Sequence, residues 1–598
     1  MSPESIAERT RKLVDVAMGR TAADLVILNG QWVCVQSGEI IPGIDIAIVD
    51  DRIAFVGGEA SHTIGDNTEV INADGQYLVP GLLDAHMHVE SGMITVTEFV
   101  RAVAPRGTTG MFIDPHEIAN IFGLEGVKLM ADEGGLQPIH VWVQVPSCVP
   151  SAPGFETSGA TITPVDVAEA MTWENIIGLG EMMNFPGVVL SDKGVLAEMA
   201  ETVYANKTIG GHYPSPDLGL PFHGYVAGGP EDDHEGTRVE DAISRVRQGM
   251  KAMLRYGSAW HDVVAQMEAI TVHGLDTRHF MLCTDDSHAG TLIEEGHMDR
   301  VVRHAIKHGL DPMIAIQMAT LNTAEHFRLG RDLGQIAPGR YADVLLVRDL
   351  EDFRSELVIA KGKIIAKEGE LLVDLPTYEY PGWVIQSIHL GRKLEARDFS
   401  LRVRNNKTVL VSVIGIIENQ APTKHLKIEI SPVDGEIQVD LDRDILKVAL
   451  VERHKGTGGV NVGLVHGFGF SERCAVASTV AHDSHHMIVV GSDESMMALA
   501  VDVLEKSNGG QVVIKDGKIV GQVELPIAGL MSNQRAEVVA QKARSVLDGF
   551  RDCGCTLNNP NMQLSLLALV VIPELRISDV GLIDVSNFKI IPAVQDNG

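Results

Sequence analysis

Residues 81–91 read GLLDAHMHVES, an apolar run that ends in two histidines one residue apart. In an extended strand alternate side chains share a face, so His86 and His88 point the same way and can hold one metal ion together. One such pair is weak evidence, and two incidental histidines at a strand end explain it equally well. The rest of the chain decides between the two.

From Gly81 to about Leu329, short apolar runs ending in polar residues alternate with helical stretches such as VEDAISRVRQGMKAMLRYG and HMDRVVRHAIKHGL. Alternation of that kind over about 250 residues is what a (β/α)8 barrel requires, with functional residues where strands end. Several strand candidates end in ligand-type side chains. IIGLGEMMN places Glu181 after an apolar run, KTIGGHYP places His212 before a turn, GGPEDDHEG offers His234 and Glu235, and FMLCTDDSH offers Asp285 and Asp286. Each alone reads as a solvated loop residue, but their succession at separate strand ends points to a shared metal centre. GTTGMFIDPHEIA is apolar up to Ile113 and sets Asp114, His116 and Glu117 at the end of a second strand, on the same face of the barrel. The alternative there is a turn fixed by Pro115 with His116 exposed.

Both flanks of this region are β-like. ADLVILNG, IDIAIVDDRIAFVGG and VINADGQYLVPG precede it; LGQIAPGRYADVLLVRDL and SELVIAKGKIIAKEG follow it, with a turn at Gly362-Lys363. The expected architecture is α/β. It has an N-terminal helical segment (1–22), a small β-sandwich domain from both flanks (23–80 plus 330–375), a TIM-like catalytic (β/α)8 barrel (81–329) and a mixed α/β C-terminal domain (378–598). A chain of 598 residues, 45% hydrophobic with 60 glycines, suits such a multidomain enzyme.

A net charge of −31, from 49 basic and 80 acidic residues without a basic stripe, argues against nucleic acid and anionic membranes as partners. Six cysteines without framework spacing suggest a reducing compartment, and MSPESIAERTRKLVDVAMGR lacks the apolar core of a secretory signal, so a cytoplasmic location is expected. The greasiest stretch, LSLLALVVI from Leu564, is well short of the ~20 residues of a membrane-spanning helix and reads as a buried element. Lys455 to Gly463 is glycine-rich but lacks the spacing of a phosphate-binding loop, so a turn is expected there. His261, His273, His304 and His308 read as surface or packing histidines.

The order HxH, carboxylate, His, His, Asp, framed by VPGLLDAHMH and APGRYADVLLV, resembles the amidohydrolase superfamily over roughly residues 24–370. DPHEIAN, GHYP, DHE, CTDD, EEGHMD (with His297) and VAHDSHH are similar to motifs of its bacterial adenine deaminase branch and span almost the whole chain. The resemblance implies hydrolytic deamination of adenine to hypoxanthine and ammonia by a metal-activated hydroxide. It further implies a binuclear centre in which His86 and His88 hold one ion, His212 and His234 the other, Glu181 bridges in place of the carboxylated lysine of many relatives, and Asp285 contacts the first ion. Asp285 and Glu235 are then the proton-transfer candidates. Imidazole and carboxylate without thiolate suit Mn(II), Fe(II) or Zn(II), and the resemblance points to Mn(II) or Fe(II). Another aminopurine, a pterin or a cyclic amide is the alternative substrate, and a non-catalytic scaffold the alternative class. A homo-oligomer, a dimer in the first instance, is expected.

Glu90 and Ser91, directly after the HxH pair, are candidates for contact with the substrate, as are Asp114, His116, Glu117 and Asp286. The stretch VAHDSHHMIVVG packs His482, His485 and His486 into five residues of the C-terminal region. The barrel's ligand set is complete without them. Either they form a polar surface turn, or this loop reaches the barrel mouth and adds a lid, a proton relay or a second metal site.

Overall fold

The structure is a computed structural model and describes residues 3–404 and 406–595. Its centre is a barrel of eight parallel strands: β1 (Leu82–His88), β2 (Thr108–Ile113), β3 (His140–Val145), β4 (Ile176–Met182), β5 (Thr208–Gly211), β6 (Asp232–Asp233), β7 (Lys251–Arg255) and β8 (Phe280–Cys283). Neighbours from β1 to β5 and from β6 to β8 pair in parallel. The Glu231 N–H donates to the Ile209 carbonyl at 2.8 Å between β5 and β6. The extension of β8 at Asp285–Asp286 pairs with Met87 and His88 and closes the ring.

Side-chain alternation builds the two layers. Phe112, Met253, Met281 and Cys283 face one cluster with Leu83 and Ala85, whereas their neighbours Met111, Ile113, Leu254 and Leu282 pack outward with the surrounding helices. On β1 a register shift between Asp84 and Met87 changes the phase, so that Met87 packs outward and the two histidines turn to the mouth.

The flanking β segments form one continuous nine-stranded sheet, not two separate sheets of a sandwich. It curls because the Ile53 N–H bonds to Arg340 and the Ala342 N–H bonds to Asp51, so a single cluster of Ile27, Ile48, Leu78, Val344 and Ile359 is enclosed by strands from both flanks. The helix Pro3–Ala17 packs beside it through Val16.

Towards the C-terminus a second nine-stranded sheet runs from Val409 to Glu524 with Val594–Gln595 at its side. Ala475 and Ala477 face the helix Glu494–Lys506, while Cys474 and Val476 face the helix Ala536–Asp552, so each face is covered by one helix. The second of these helices joins the barrel. Arg544 pairs with Glu294, Arg535 pairs with Glu98 at 3.1 Å, and just before the helix the Ser532 N–H donates to the Met93 carbonyl at 2.8 Å. The apolar stretch from Leu564 to Val570 is buried. No helix among the described residues is long and apolar enough to cross a membrane. The glycine-rich segment after Glu452 is a turn, wound around that carboxylate, which accepts N–H donors from His454, Lys455 and Thr457.

Candidate active site

The strand ends bring His86, His88, Glu181, His212, His234 and Asp285 into one buried cluster. Glu181 is its centre. One carboxylate oxygen is 2.5 Å from His212 Nδ1 and 3.3 Å from His234 Nε2; the other is 3.6 Å from His88 Nε2 and 3.2 Å from His116 Nδ1. His86 stacks on His234 with ring centroids 4.1 Å apart, and its buried Nε2 has no hydrogen-bond partner.

Local structure aims each group. The His88 Nδ1–H donates to the Asp114 carbonyl at 2.8 Å, which fixes the tautomer and turns Nε2 toward Glu181 and Asp285. Asp114 is fully buried, and its Oδ2 accepts from the Glu181 N–H at 2.8 Å. Gly180 permits that approach, since a Cβ there would stand 2.1 Å from the same oxygen. Asp114 therefore braces the centre from beneath and does not line the open cavity. After Cys283 the backbone breaks, and Asp285 takes a left-handed conformation (φ 59°) that swings its carboxylate inward. Its Oδ1 is 3.3 Å from His88 Nε2, whereas Asp286 accepts instead from the Ser91 hydroxyl.

Burial works against ionising Glu181 and Asp285, but it is outweighed. His212, His116 and His234 hold Glu181 well below the carboxylate range, and His88 with Arg255 does the same for Asp285. His86 is pushed well below the imidazole range by burial, then by His234 and His88, and so keeps a free lone pair. Buried imidazoles around ionised carboxylates, with an orphaned nitrogen on His86, are a donor set that fits divalent ions. Among the described residues no lysine or arginine nitrogen contacts Glu181.

Above this cluster lies a cavity of about 320 Å³ between the barrel mouth and the C-terminal sheet. Glu90, Ser91, Glu117 and His288 line it from the barrel, and Gln511 and Asn561 from the C-terminal region. Four buried acceptor atoms here, Glu90 Oε2, Glu117 Oε2, Gln511 Oε1 and Asn561 Oδ1, have no partner. Glu90 is pushed up to about 8 by burial and then by neighbouring Glu117.

The C-terminal histidines divide. His482 lines the cavity. His485 is fully buried behind it, its Nδ1 accepting the Ala481 N–H at 3.2 Å and its carbonyl accepting from Arg453. His486 does not reach the cluster; its ring bonds the Thr157 carbonyl at 2.8 Å and stands 3.6 Å from Asp579, joining a barrel loop to the C-terminal β-hairpin. The reading as a surface turn is overturned, since residues 483–486 are all buried against the barrel loops.

Residues 77–222 and 230–365 match the amidohydrolase family, and residues 420–589 match the adenine deaminase C-terminal domain. The adenine deaminase of Mesorhizobium japonicum is 62% identical over 98% of this chain and 97% of its own length. Adenine deaminase 3 of Rhizobium meliloti is 60% identical over 98% of each, and that of Moorella thermoacetica 48% identical over 98% of each. This chain belongs to the adenine deaminase family. Among solved structures, a beta-aspartyl dipeptidase from Fervidobacterium islandicum AW-1 covers 59% of this chain and 98% of its own, at 17% identity and a TM-score of 0.44.

In this member of the adenine deaminase family, Arg255 and Tyr225 escape sequence reasoning, as do the cavity-lining His288, Gln511 and Asn561. Arg255, at the end of β7, is buried and donates to Asp285 at 2.8 Å and to Glu235 at 2.5 Å. Glu235 is thereby an ion-pair partner, 3.9 Å from His212 and 3.6 Å from His234, and not a free carboxylate. Tyr225 accepts the His212 N–H at 2.7 Å and donates to the Met182 carbonyl at 3.1 Å. Arg255 ends an apolar run as the other site residues do, but a cation is not a ligand and carries no metal signature. His297, in the family-like EEGHMD, lies beneath the barrel mouth and pairs with Asp84 at 2.9 Å.

Proposed function

We propose that this chain catalyses the hydrolytic deamination of adenine to hypoxanthine and ammonia at the buried cluster around Glu181. The observation that carries the reading is that likeness to adenine deaminases runs through both the barrel and the C-terminal half, the two parts that enclose the cavity.

His86, His88 and Asp285 are the residues assigned to one divalent ion and His212 and His234 to the other, with Glu181 reaching both. When bound, such a pair supplies Lewis acidity that makes hydroxide available from water near neutral pH. Mn(II) or Fe(II) is the proposed physiological metal, with Zn(II) as the competitor that affinity order favours. Asp285 is the proposed proton carrier. Arg255 fixes one of its oxygens and leaves the other at the centre, positioned to take a proton from the attacking water and to return it to the amine leaving C6. Glu235, held by the same guanidinium, orients His212 and His234. Glu90, Ser91 and Glu117 face the cavity and are assigned to the purine, the unpaired oxygens of Glu90 and Glu117 being satisfied by its N–H groups.

The chain is proposed to work as a cytoplasmic homodimer, supported by the exposed apolar side chains of Leu190, Val203, Tyr204 and Leu220 on neighbouring helices; light scattering checks the state. Turnover of adenine in water labelled with heavy oxygen tests the chemistry. One labelled oxygen at C6 of hypoxanthine, with one ammonia per turnover, is expected. Product without label would exclude hydrolysis.

A further inference from the structure

The C-terminal histidine cluster contains polar atoms to which the donor set around Glu181 gives no role. His482 and Asp483, between the strands Cys474–Ser478 and Met487–Gly491, lie against His116 from the loop that follows β2. Asp483 Oδ1 stands 3.8 Å from His116 Nε2 and 3.6 Å from His482 Nδ1. Both separations are too long for hydrogen bonds. The second oxygen of Asp483 has no partner although the residue is only 2% exposed. One ligand-type atom of each of the three comes within 4.8 Å of the other two.

Two imidazoles and a carboxylate withdrawn from water gain most by closing to hydrogen-bonding distance, unless something between them holds them apart. Donors about 2.1 Å from a tetrahedral ion stand about 3.4 Å from one another, close to the two separations from Asp483. The arrangement is also distinct from the cluster around Glu181, because His116 turns Nδ1 to Glu181 at 3.2 Å and Nε2 to Asp483, so its two nitrogens serve opposite sides.

We propose that His116, His482 and Asp483 form an additional divalent-metal site of the zinc class, built jointly by the barrel and the C-terminal region. Two imidazoles, one carboxylate and no thiolate form a nitrogen–oxygen set for which zinc leads manganese and iron in affinity. Three protein donors leave one tetrahedral position for water. The site explains why a polar run in the second half of the chain is buried at the barrel mouth, and it does not depend on which purine is deaminated.

The test counts ions. Full-length protein freed of metal by chelation is titrated with Zn(II) to saturation in equilibrium dialysis, alongside His482→Ala and Asp483→Asn. The wild type is expected to bind three ions per chain and each variant two, with circular dichroism and gel filtration unchanged. His482 is partly exposed to the cavity, so its substitution keeps the test valid if Asp483→Asn does not fold. Anomalous diffraction at the zinc edge should place the third ion among the three side chains. Two ions in the wild type, or three in a folded variant, overturns the proposal. If turnover then still falls in the variants, Asp483 is a positioning residue for His116.

Discussion

Arg255 donates to Asp285 at 2.8 Å from a site only 3% exposed, and the same guanidinium holds Glu235. One buried cation thus fixes the carboxylate closest to His88 and the one beside His212 and His234. Removing it takes the cation from three carboxylates, the buried Asp285 and the half-buried Glu235 and Asp262, and the loss at the buried one typically costs about 3 kcal/mol or more, roughly a hundredfold in rate when it falls on the transition state. Arg255→Met should lower kcat by about that factor; steady-state kinetics on protein of verified metal content checks it. Activity within threefold of the wild type would remove Arg255 from the machinery.

Gly180→Ala tests the brace under Glu181. The added methyl would overlap the Asp114 carboxylate, 2.1 Å from Oδ2 and 2.7 Å from Cγ, and displace the acceptor of the Glu181 N–H. A loss of about 2 kcal/mol in stability is expected from overpacking and the broken hydrogen bond. Metal content should fall as well, and thermal unfolding with elemental analysis reads both.

Strand ends were legible in the sequence because an apolar run that stops at a histidine or carboxylate marks both the end of a barrel strand and a donor facing the mouth. His86, His88, Glu181, His212 and Asp285 follow that rule, whereas His234 comes after the acidic run Glu231-Asp232-Asp233, and all six lie in one cluster. Between the adjacent aspartates, only the left-handed turn at Asp285 decides which one faces inward. Gln511 and Asn561 were not legible, because they reach the cavity from elements far along the chain, and Tyr225 was not, because its hydroxyl meets backbone groups of His212 and Met182 and leaves no side-chain pattern. The flanking β segments were recognisable as strands, but whether they made a sandwich or one curled sheet depended on pairings across more than two hundred residues, such as Ile53 with Arg340. The stretch VAHDSHH reads as polar, and polarity alone does not distinguish a solvated turn from one buried against another region's loops.

His486 should prove structural. Its ring bonds the Thr157 carbonyl at 2.8 Å with no exposed surface, and it makes no contact with the cluster around Glu181. His486→Ala should cost about 1–2 kcal/mol of stability through the unpaired buried groups it leaves. Adenine turnover should stay within threefold of the wild type. Urea unfolding and kinetics on the same preparation separate the two effects.

Glu198 gives a pH-dependent prediction away from the site. In the helix Lys193–Tyr204 its carboxyl is pushed up to about 8, first by burial and then by Asp192, from an ordinary value of 4.5. A carboxyl raised in the fold costs nothing while it is protonated in both states, below pH 4.5. The penalty grows as the pH rises from there through about 8, because the unfolded chain ionises first. Glu198→Gln should therefore stabilise the protein by about 2 kcal/mol in mildly alkaline buffer and leave it nearly unchanged in acid near the ordinary carboxyl range. Urea unfolding in the two buffers checks the sign.

The most direct test of the account follows ammonia release across adenine, other aminopurines, a pterin and a cyclic amide, using metal-free protein reconstituted separately with Mn(II), Fe(II) and Zn(II). Adenine is expected to be the preferred substrate, yielding hypoxanthine and ammonia in equal amounts, with the higher rate in the Mn(II) or Fe(II) form. Turnover of a cyclic amide or pterin but not adenine, or no turnover by any metal-replete form, would contradict this.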